Sequence, residues 1–360
     1  HFGCGGAGPA SRSPHLTPFG VMINTLTPIG ELERDAARGR RLATWPTTAD
    51  DTYCSPRPTR PARSSFAHCT ESPKTPCTPT RPLWLQRCEA ASIRCPYPCS
   101  FSVQQNLKGG KPIEDKIVVD CRGQDALWAV FDGHLGAAVS GHASQNVANL
   151  VWGSSQWPAS PGDALRNVLV QCHELARSED LKGGSTALVV AVTNGRIWCS
   201  SAGDSRSVAG LRSGGVRRIS VDHTTSVPAE IARIQAMGAS LEWGRLGGCL
   251  PMTRGLGNFA MEADGFACLP DIDSVSCSEV DFVILASDGL WDHIDDEAAC
   301  CFVRSLGVSA AKHLGTHVGC AAEQLCALAR RAGSLDDLSV IVAYFPPERV
   351  PLAFIGGAGA

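Results

Sequence analysis

An α+β fold of layered sheets, rather than an alternating βαβ fold, is what this sequence predicts, on three observations. Apolar runs of strand length come in groups: Ala126–Phe131, Ala187–Val192 with Arg196–Cys199, Phe282–Ala286 and Leu338–Phe345. Stretches with apolar residues at helical spacing separate the groups and arrive in pairs, not one per strand. Finally, Thr193-Asn194-Gly195 joins two apolar runs directly, a hairpin signal because both central residues must accept positive φ.

The elements follow in order. A helix is expected over Ala137–Val151, where Val139, Ala143, Val147 and Leu150 share one face. Asp163–Arg177 and Ala321–Ala332 are further helices, and Pro228 and Gly238 frame another. Leu338–Phe345 closes the domain as an apolar strand. Residues 1–100 differ in kind: Pro, Ser, Thr, Arg and Cys dominate without a sustained period, so a disordered extension is expected there. The globular pattern begins near Ser102, giving a domain over residues 101–346 and a flexible tail over 347–360.

Composition narrows the function classes. With 44% hydrophobic residues and a net charge of -3, a sizeable core is expected and no nucleic-acid partner. No apolar run approaches the ~20 residues needed to span a bilayer. The 17 cysteines are odd in number and irregularly spaced, which argues against a complete disulfide framework. A reducing compartment, cytoplasm or nucleus, follows as the expectation. His68, Cys69, Cys77, Cys88, Cys95 and Cys99 contain no Cys-x-x-Cys pair, so zinc is not favoured.

Two of the apolar runs end in Asp-Gly: Ala126–Phe131 leads into Asp132-Gly133-His134, and Phe282–Ala286 into Ser287-Asp288-Gly289. Either pair alone is an ordinary turn. Two strands delivering acids from one end of a sheet would assemble a site for a hard cation, since Mg²⁺ and Mn²⁺ take oxygen ligands.

The flanks of these pairs belong to an ordered series. It runs Ile113-Glu114-Asp115, Val130 through Gly136, Gly184-Ser185-Thr186-Ala187, Gly203-Asp204-Ser205-Arg206 and Thr253-Arg254-Gly255-Leu256-Gly257. Ala286 through Asp292 and Ser334 through Ile341 complete it, with Asp222-His223, Glu230, Arg233-Ile234 and Gly238 in mid-chain. The series, over Ser102 to Phe345, resembles the metal-dependent protein serine/threonine phosphatases of type 2C. That resemblance implies two packed antiparallel sheets with helices outside, in four αββα layers. It also implies hydrolysis of phosphoserine and phosphothreonine in proteins by a water bridging two Mg²⁺ or Mn²⁺ ions about 4 Å apart.

By the same resemblance, Asp132 is the ligand shared between the ions and the Gly133 carbonyl adds a contact. Asp288 and Asp336 hold the first ion, and Glu114 holds the second. Asp204, Asp288 and Asp292 correspond to a third, weaker metal position. Asp115 is expected to orient water or backbone. His134 is placed to protonate the leaving oxygen, its ordinary pKa lying near working pH. His223 matches the mid-domain series and is expected to be structural. The implied partner is a phosphoprotein in a signalling pathway, met by a monomer.

Three departures stand out. The family places an Arg before its Glu-Asp, but here the segment reads Lys108-Gly109-Gly110-Lys111-Pro112-Ile113-Glu114-Asp115. Lys111 or Lys108 can supply charge there, without the planar fork of a guanidinium. Asn258 follows Gly257 where an Asp is usual, and Asp336-Asp337 replaces Asp-Asn, an extra acid expected to change little. A pseudophosphatase, keeping the fold for binding with weak or no hydrolysis, is the alternative these departures favour.

Overall fold

The computed structural model describes residues 95–107, 109–306 and 321–345. The expected extension up to residue 94, Lys108 and the tail over 347–360 lie outside the described residues. All described residues belong to the unit His68–Ala360.

The strands are β1 (Cys99–Gln104), β2 (Lys116–Arg122), β3 (Asp125–Phe131), β4 (Gly133–His134), β5 (Gly184–Ser185), β6 (Ala187–Thr193), β7 (Arg196–Ala202) and β8 (Arg206–Leu211). They continue as β9 (Val216–Arg218), β10 (Leu241–Glu242), β11 (Arg245–Leu246), β12 (Leu256–Gly257), β13 (Asp271–Ser276), β14 (Val280–Ala286) and β15 (Leu338–Tyr344). The helices are α1 (Ala138–Gly153), α2 (Pro161–Ser178), α3 (Pro228–Ala236), α4 (Asp288–Trp291), α5 (Asp296–Ser305) and α6 (Ala321–Arg331). Two five-stranded antiparallel sheets dominate, in orders β1-β15-β14-β8-β9 and β13-β7-β6-β3-β2.

The layers follow from the two-residue period of the strands. In β3, Ala126, Trp128 and Val130 enter a core shared with Val283 and Leu285 of β14 and Ile341 of β15, between the sheets. Leu127, Ala129 and Phe131 face the other way, onto Val139 and Val147 of α1 and Leu165 and Leu169 of α2. Phe282 and Ile284 of β14 face Val303 of α5 and Leu325 of α6. Strands covered on both faces read as unbroken apolar runs, which is why these runs do not alternate. The result is the four-layer αββα sandwich.

Local details refine the expectations. Asn194 and Gly195 take φ of 50° and 72° in the β6–β7 hairpin, the left-handed pair its twist requires. The ladder of β1 begins at Cys99, paired with Ala343. Just before it Tyr97 packs on Trp128 and Phe345, with ring centroids 6.1 and 5.1 Å away, so ordered packing reaches upstream of Ser102. The two Asp-Gly pairs do not end strands of one sheet. β3 and β14 lie in different sheets, and Asp288 is not on a free turn but opens α4.

Registers carry the acids to one end of the sandwich. Lys116 pairs with Phe131, which sets Glu114-Asp115 beside Asp132-Gly133. Ala286 pairs with Arg206 on one side and Val340 on the other, which sets Asp288 between Asp204 and the segment carrying Asp336.

Candidate active site

Asp132 is fixed through its backbone. Its N–H donates to Thr186 Oγ1 at 2.9 Å, and its carbonyl accepts the Thr186 N–H at 2.9 Å. Ser205 Oγ lies 2.7 Å from Thr186 Oγ1 and braces it. Two of the recurring segments thus hold the acid that a third supplies. Gly133 has no room for a side chain: a Cβ there would stand 2.6 Å from the Glu114 carbonyl and 2.7 Å from Ser140 Oγ. Asp288 is set by reciprocal bonds one residue earlier, Ser287 N–H to the Ser339 carbonyl and Ser339 N–H to Ser287 Oγ, both 3.1 Å.

The electrostatics single out the same acids. Burial pushes the Asp132 carboxyl well above the ordinary range, and the charges of Asp115, Asp288, Asp204 and Asp336 push the same way. Burial raises Asp288 likewise, with Asp204, Asp292, Asp336 and Asp115 adding to it. Asp115 is 2% exposed, and burial carries it up to about 7. Ser339, Ser287 and Asp132 stand near it, yet neither carboxyl oxygen has a partner at full hydrogen-bond geometry.

Glu114 sits on the shoulder of this cluster. Its Oε1 accepts the Gly136 N–H at 2.7 Å, and its carbonyl accepts Ser140 Oγ at 2.6 Å. It is not among the charges that act most strongly on Asp132 or Asp288. Asp292, at the end of α4, and Asp336 are exposed, and Arg330 Nη1 donates to the Asp336 carbonyl at 2.7 Å. Lys111 is exposed three residues before Glu114, its carbonyl accepting from Gln105 Nε2. His134 Nε2 faces the Asn258 side-chain amide, with nitrogen at 2.8 Å and oxygen at 3.0 Å. Burial lowers the His134 pKa, and the Asn258 contact works against that.

Several residues at the site escape a sequence reading. Asp337, expected to matter little, is 8% exposed and accepts three N–H groups: Asn106 N at 2.6 Å, Asn106 Nδ2 at 2.9 Å and Glu114 N at 2.9 Å. Lys116 Nζ donates to the carbonyls of Ile113 at 3.2 Å and Asp115 at 3.0 Å, where it faces Asp115, Asp337 and Glu114. Nothing in residue type marks either one, because their roles depend on where the strand ends meet.

The donor chemistry suits a hard divalent cation. The gathered groups are all oxygens, they repel one another, and Asp115 keeps two buried oxygens without partners. Among the described residues no group of three or more His, Cys, Asp or Glu is placed to hold a metal ion as the side chains stand.

The mid-domain series builds a different kind of acid. Glu230, 2% exposed, accepts from Thr253 Oγ1 at 2.6 Å, from Arg233 Nε and Nη2 at 3.1 and 3.0 Å, and from Arg254 Nε at 3.0 Å. Burial alone would raise its pKa; the bonds from Arg254, Thr253 and Arg233 outweigh burial and hold it at about 2. Buried His223 accepts the Gly203 N–H at Nδ1, 3.2 Å, and meets Asp271 Oδ2 through Nε2 at 2.9 Å.

Known proteins are similar to this chain in sequence and in fold. A family model described as Protein phosphatase 2C matches residues 99–338. A probable protein phosphatase 2C 44 of Oryza sativa subsp. japonica is 32% identical over 255 residues, 66% of this chain and 75% of that protein. A probable protein phosphatase 2C 27 of Arabidopsis thaliana is 30% identical over 249 residues, covering 65% of this chain but 63% of the relative. For a protein phosphatase 2C homolog 2 of Aspergillus flavus the match is 33% over 205 residues, covering 52% of this chain and 46% of the relative. The chain therefore spans about half to three quarters of the length of these relatives. In fold it resembles a solved serine-threonine phosphatase 2C from Toxoplasma gondii, with a TM-score of 0.57 and 21% identity over 69% of this chain and 95% of that one. A solved sex-determining protein of C. elegans gives a TM-score of 0.58 at 24% identity, over 69% of this chain and 65% of that one. Sandwich topology and a family match over most of the globular region lead to one conclusion: this chain belongs to the protein phosphatase 2C family.

Proposed function

We propose that this chain hydrolyses phosphoserine and phosphothreonine in proteins with the help of bound Mg²⁺ or Mn²⁺. The observation that carries the reading is the acid cluster: the charges acting most strongly on half-buried Asp132 and Asp288 are all carboxylates. Such a cluster is poised for cations, and perturbed acids gathered at one site mark function more often than scaffold. Divalent ions there would neutralise phosphoryl charge and supply an acidified water.

In this reading Asp132, the Gly133 carbonyl, Asp288, Asp336 and Glu114 would hold the ions, and Asp204 and Asp292 would offer, with Asp288, a further, weaker position. Thr186 keeps Asp132 from turning away. His134 delivers a proton to the departing serine or threonine oxygen, and Asn258 holds the imidazole by its Nε2. Lys111 places positive charge for the substrate phosphate. The protein acts as a monomer on phosphoproteins in signalling, in cytoplasm or nucleus. No helix among the described residues is long and apolar enough to cross a membrane.

The test is hydrolysis of a phosphoserine peptide with and without Mn²⁺. Activity should require the ion. His134→Gln should lose about 10²–10⁴-fold on that peptide and far less on nitrophenyl phosphate, whose leaving group needs no proton. Equal losses on both substrates would reject His134 as the acid. Wild-type protein inert on both with Mn²⁺ present would instead establish the pseudophosphatase reading, which the missing Arg and Asn258 favour.

A further inference from the structure

Asp337 stands where three acid-bearing segments meet. Both of its carboxyl oxygens are used: Oδ1 takes the two N–H groups of Asn106, and Oδ2 takes the backbone N–H of Glu114. Its own N–H donates to Asp336 Oδ1 at 2.9 Å. On the far side, its carbonyl lies so close to Gly289 that a Cβ there would stand 2.1 Å from it. Glycine after Asp288 is what lets the lead-in to β15 lie against the start of α4.

We infer that Asp337 is a positioning residue that sets divalent-metal affinity by pinning the Glu114 segment against the Asp288–Asp336 segment. The inference rests on the reading of the acid cluster as a metal site. Glu114 is held at three points, by Asp337 at its N–H, by Ser140 at its carbonyl and by Gly136 at its carboxylate. Among the described residues, the Asp337 bond is the hydrogen bond that ties Glu114 to the segment carrying Asp336; the other two tie it to α1 and its lead-in. Remove that tie and the two groups of ligands can drift apart while each stays locally folded.

In this chain, where Asn106 and Glu114 present three N–H donors, a carboxylate accepts them all and the amide usual at this place in the family does not. Three donors converge on two acceptor oxygens, and Asn at 337 would offer one acceptor and an NH₂. With its oxygen toward Asn106, the NH₂ would face the Glu114 N–H donor to donor. A charged acceptor also binds backbone N–H more strongly than an amide does. The second acid of Asp336-Asp337 therefore works on the protein, not on the ion.

The measurement is Mn²⁺ binding to the full chain by titration calorimetry, beside the melting temperature without metal. Asp337→Asn should weaken Mn²⁺ binding by about 10–100-fold, the usual loss when a group that orients a ligand is changed, with the number of ions unchanged. If that variant does not fold, Asn106→Asp serves, since a second carboxylate against Asp337 drives it off Glu114 and should weaken binding by a similar factor. Either folded variant binding Mn²⁺ like wild type, whatever its melting temperature, overturns the inference. Loss of one equivalent of Mn²⁺ with the remaining affinity intact also overturns it, by making Asp337 a ligand. A wild type that binds no Mn²⁺ overturns the metal reading itself and this role with it, a result distinct from the other two.

Discussion

Two sets of acids in this domain, buried Glu230 and half-buried Asp132 and Asp288, behave in opposite ways. Glu230 is surrounded by Arg233, Arg254 and Thr253 and held at about 2, whereas Asp132 and Asp288 have other carboxylates as their strongest neighbours and are driven upward. The first set is closed, with its compensating charge built into the chain. The second is different: the charges that act most strongly on it are of its own sign. Buried charge by itself says little about function; whether the protein supplies the partner is what separates scaffold from site.

The sharpest way to break this comparison is to neutralise one acid in each set. Asp132→Asn should cut Mn²⁺-dependent hydrolysis of a phosphoserine peptide by at least about 10²–10³-fold. It should also leave the metal-free melting temperature equal or higher, because it removes like-charge repulsion. A metal-free protein much less stable after that change would mean Asp132 is part of the scaffold. Glu230→Gln should do the reverse and cost about 3–5 kcal/mol, since it leaves two guanidinium groups facing an uncharged acceptor. In a domain of this size that is a fall in melting temperature on the order of 10 °C.

Acid titration sharpens the contrast further. Glu230 has a folded pKa of about 2 against an ordinary 4.5, so the folded state releases its proton more readily than the unfolded chain. Its contribution is fully present above 4.5 and is lost as pH falls toward about 2. The stability gap between wild type and Glu230→Gln should therefore narrow across that window. A gap that stays constant from neutral pH down to 2 would show that the carboxylate charge is not what stabilises the knot.

The smallest expected effect concerns phosphate. A guanidinium can pair with two phosphate oxygens where an ammonium acts as a point charge. Lys111→Arg should lower the KM for phosphopeptide a few-fold and leave the Mn²⁺ requirement in place. A change in metal dependence with no change in KM would place Lys111 among the groups that shape the metal site.

Much of this was legible in the chain. The runs Ala126–Phe131 and Phe282–Ala286 are apolar at every position because both faces are covered, and the order of the segments pointed to the αββα sandwich. Asn194-Gly195 marked its hairpin because positive φ leaves few alternatives. The roles of Asp337, Lys116 and Thr186 were not legible. Asp337 and Thr186 bond residues far away in sequence, and Lys116 faces distant Asp337 beside its local bonds; residue type carries no record of register. The same limit explains why two Asp-Gly pairs suggested one sheet: local pattern shows that a strand ends, not which sheet it joins.

The registers that gather the acids have a consequence for biogenesis. Glu114 and Asp336 are separated by over two hundred residues, and their segments meet only after β15 has entered its sheet between β1 and β14. Because β15 is the last described strand in chain order, no nascent fragment that lacks it can present the full constellation. An ion binding there would recognise the domain with β15 in place, and would draw the population toward that state by mass action. Supply of the ion would then govern how much of the domain is fully assembled.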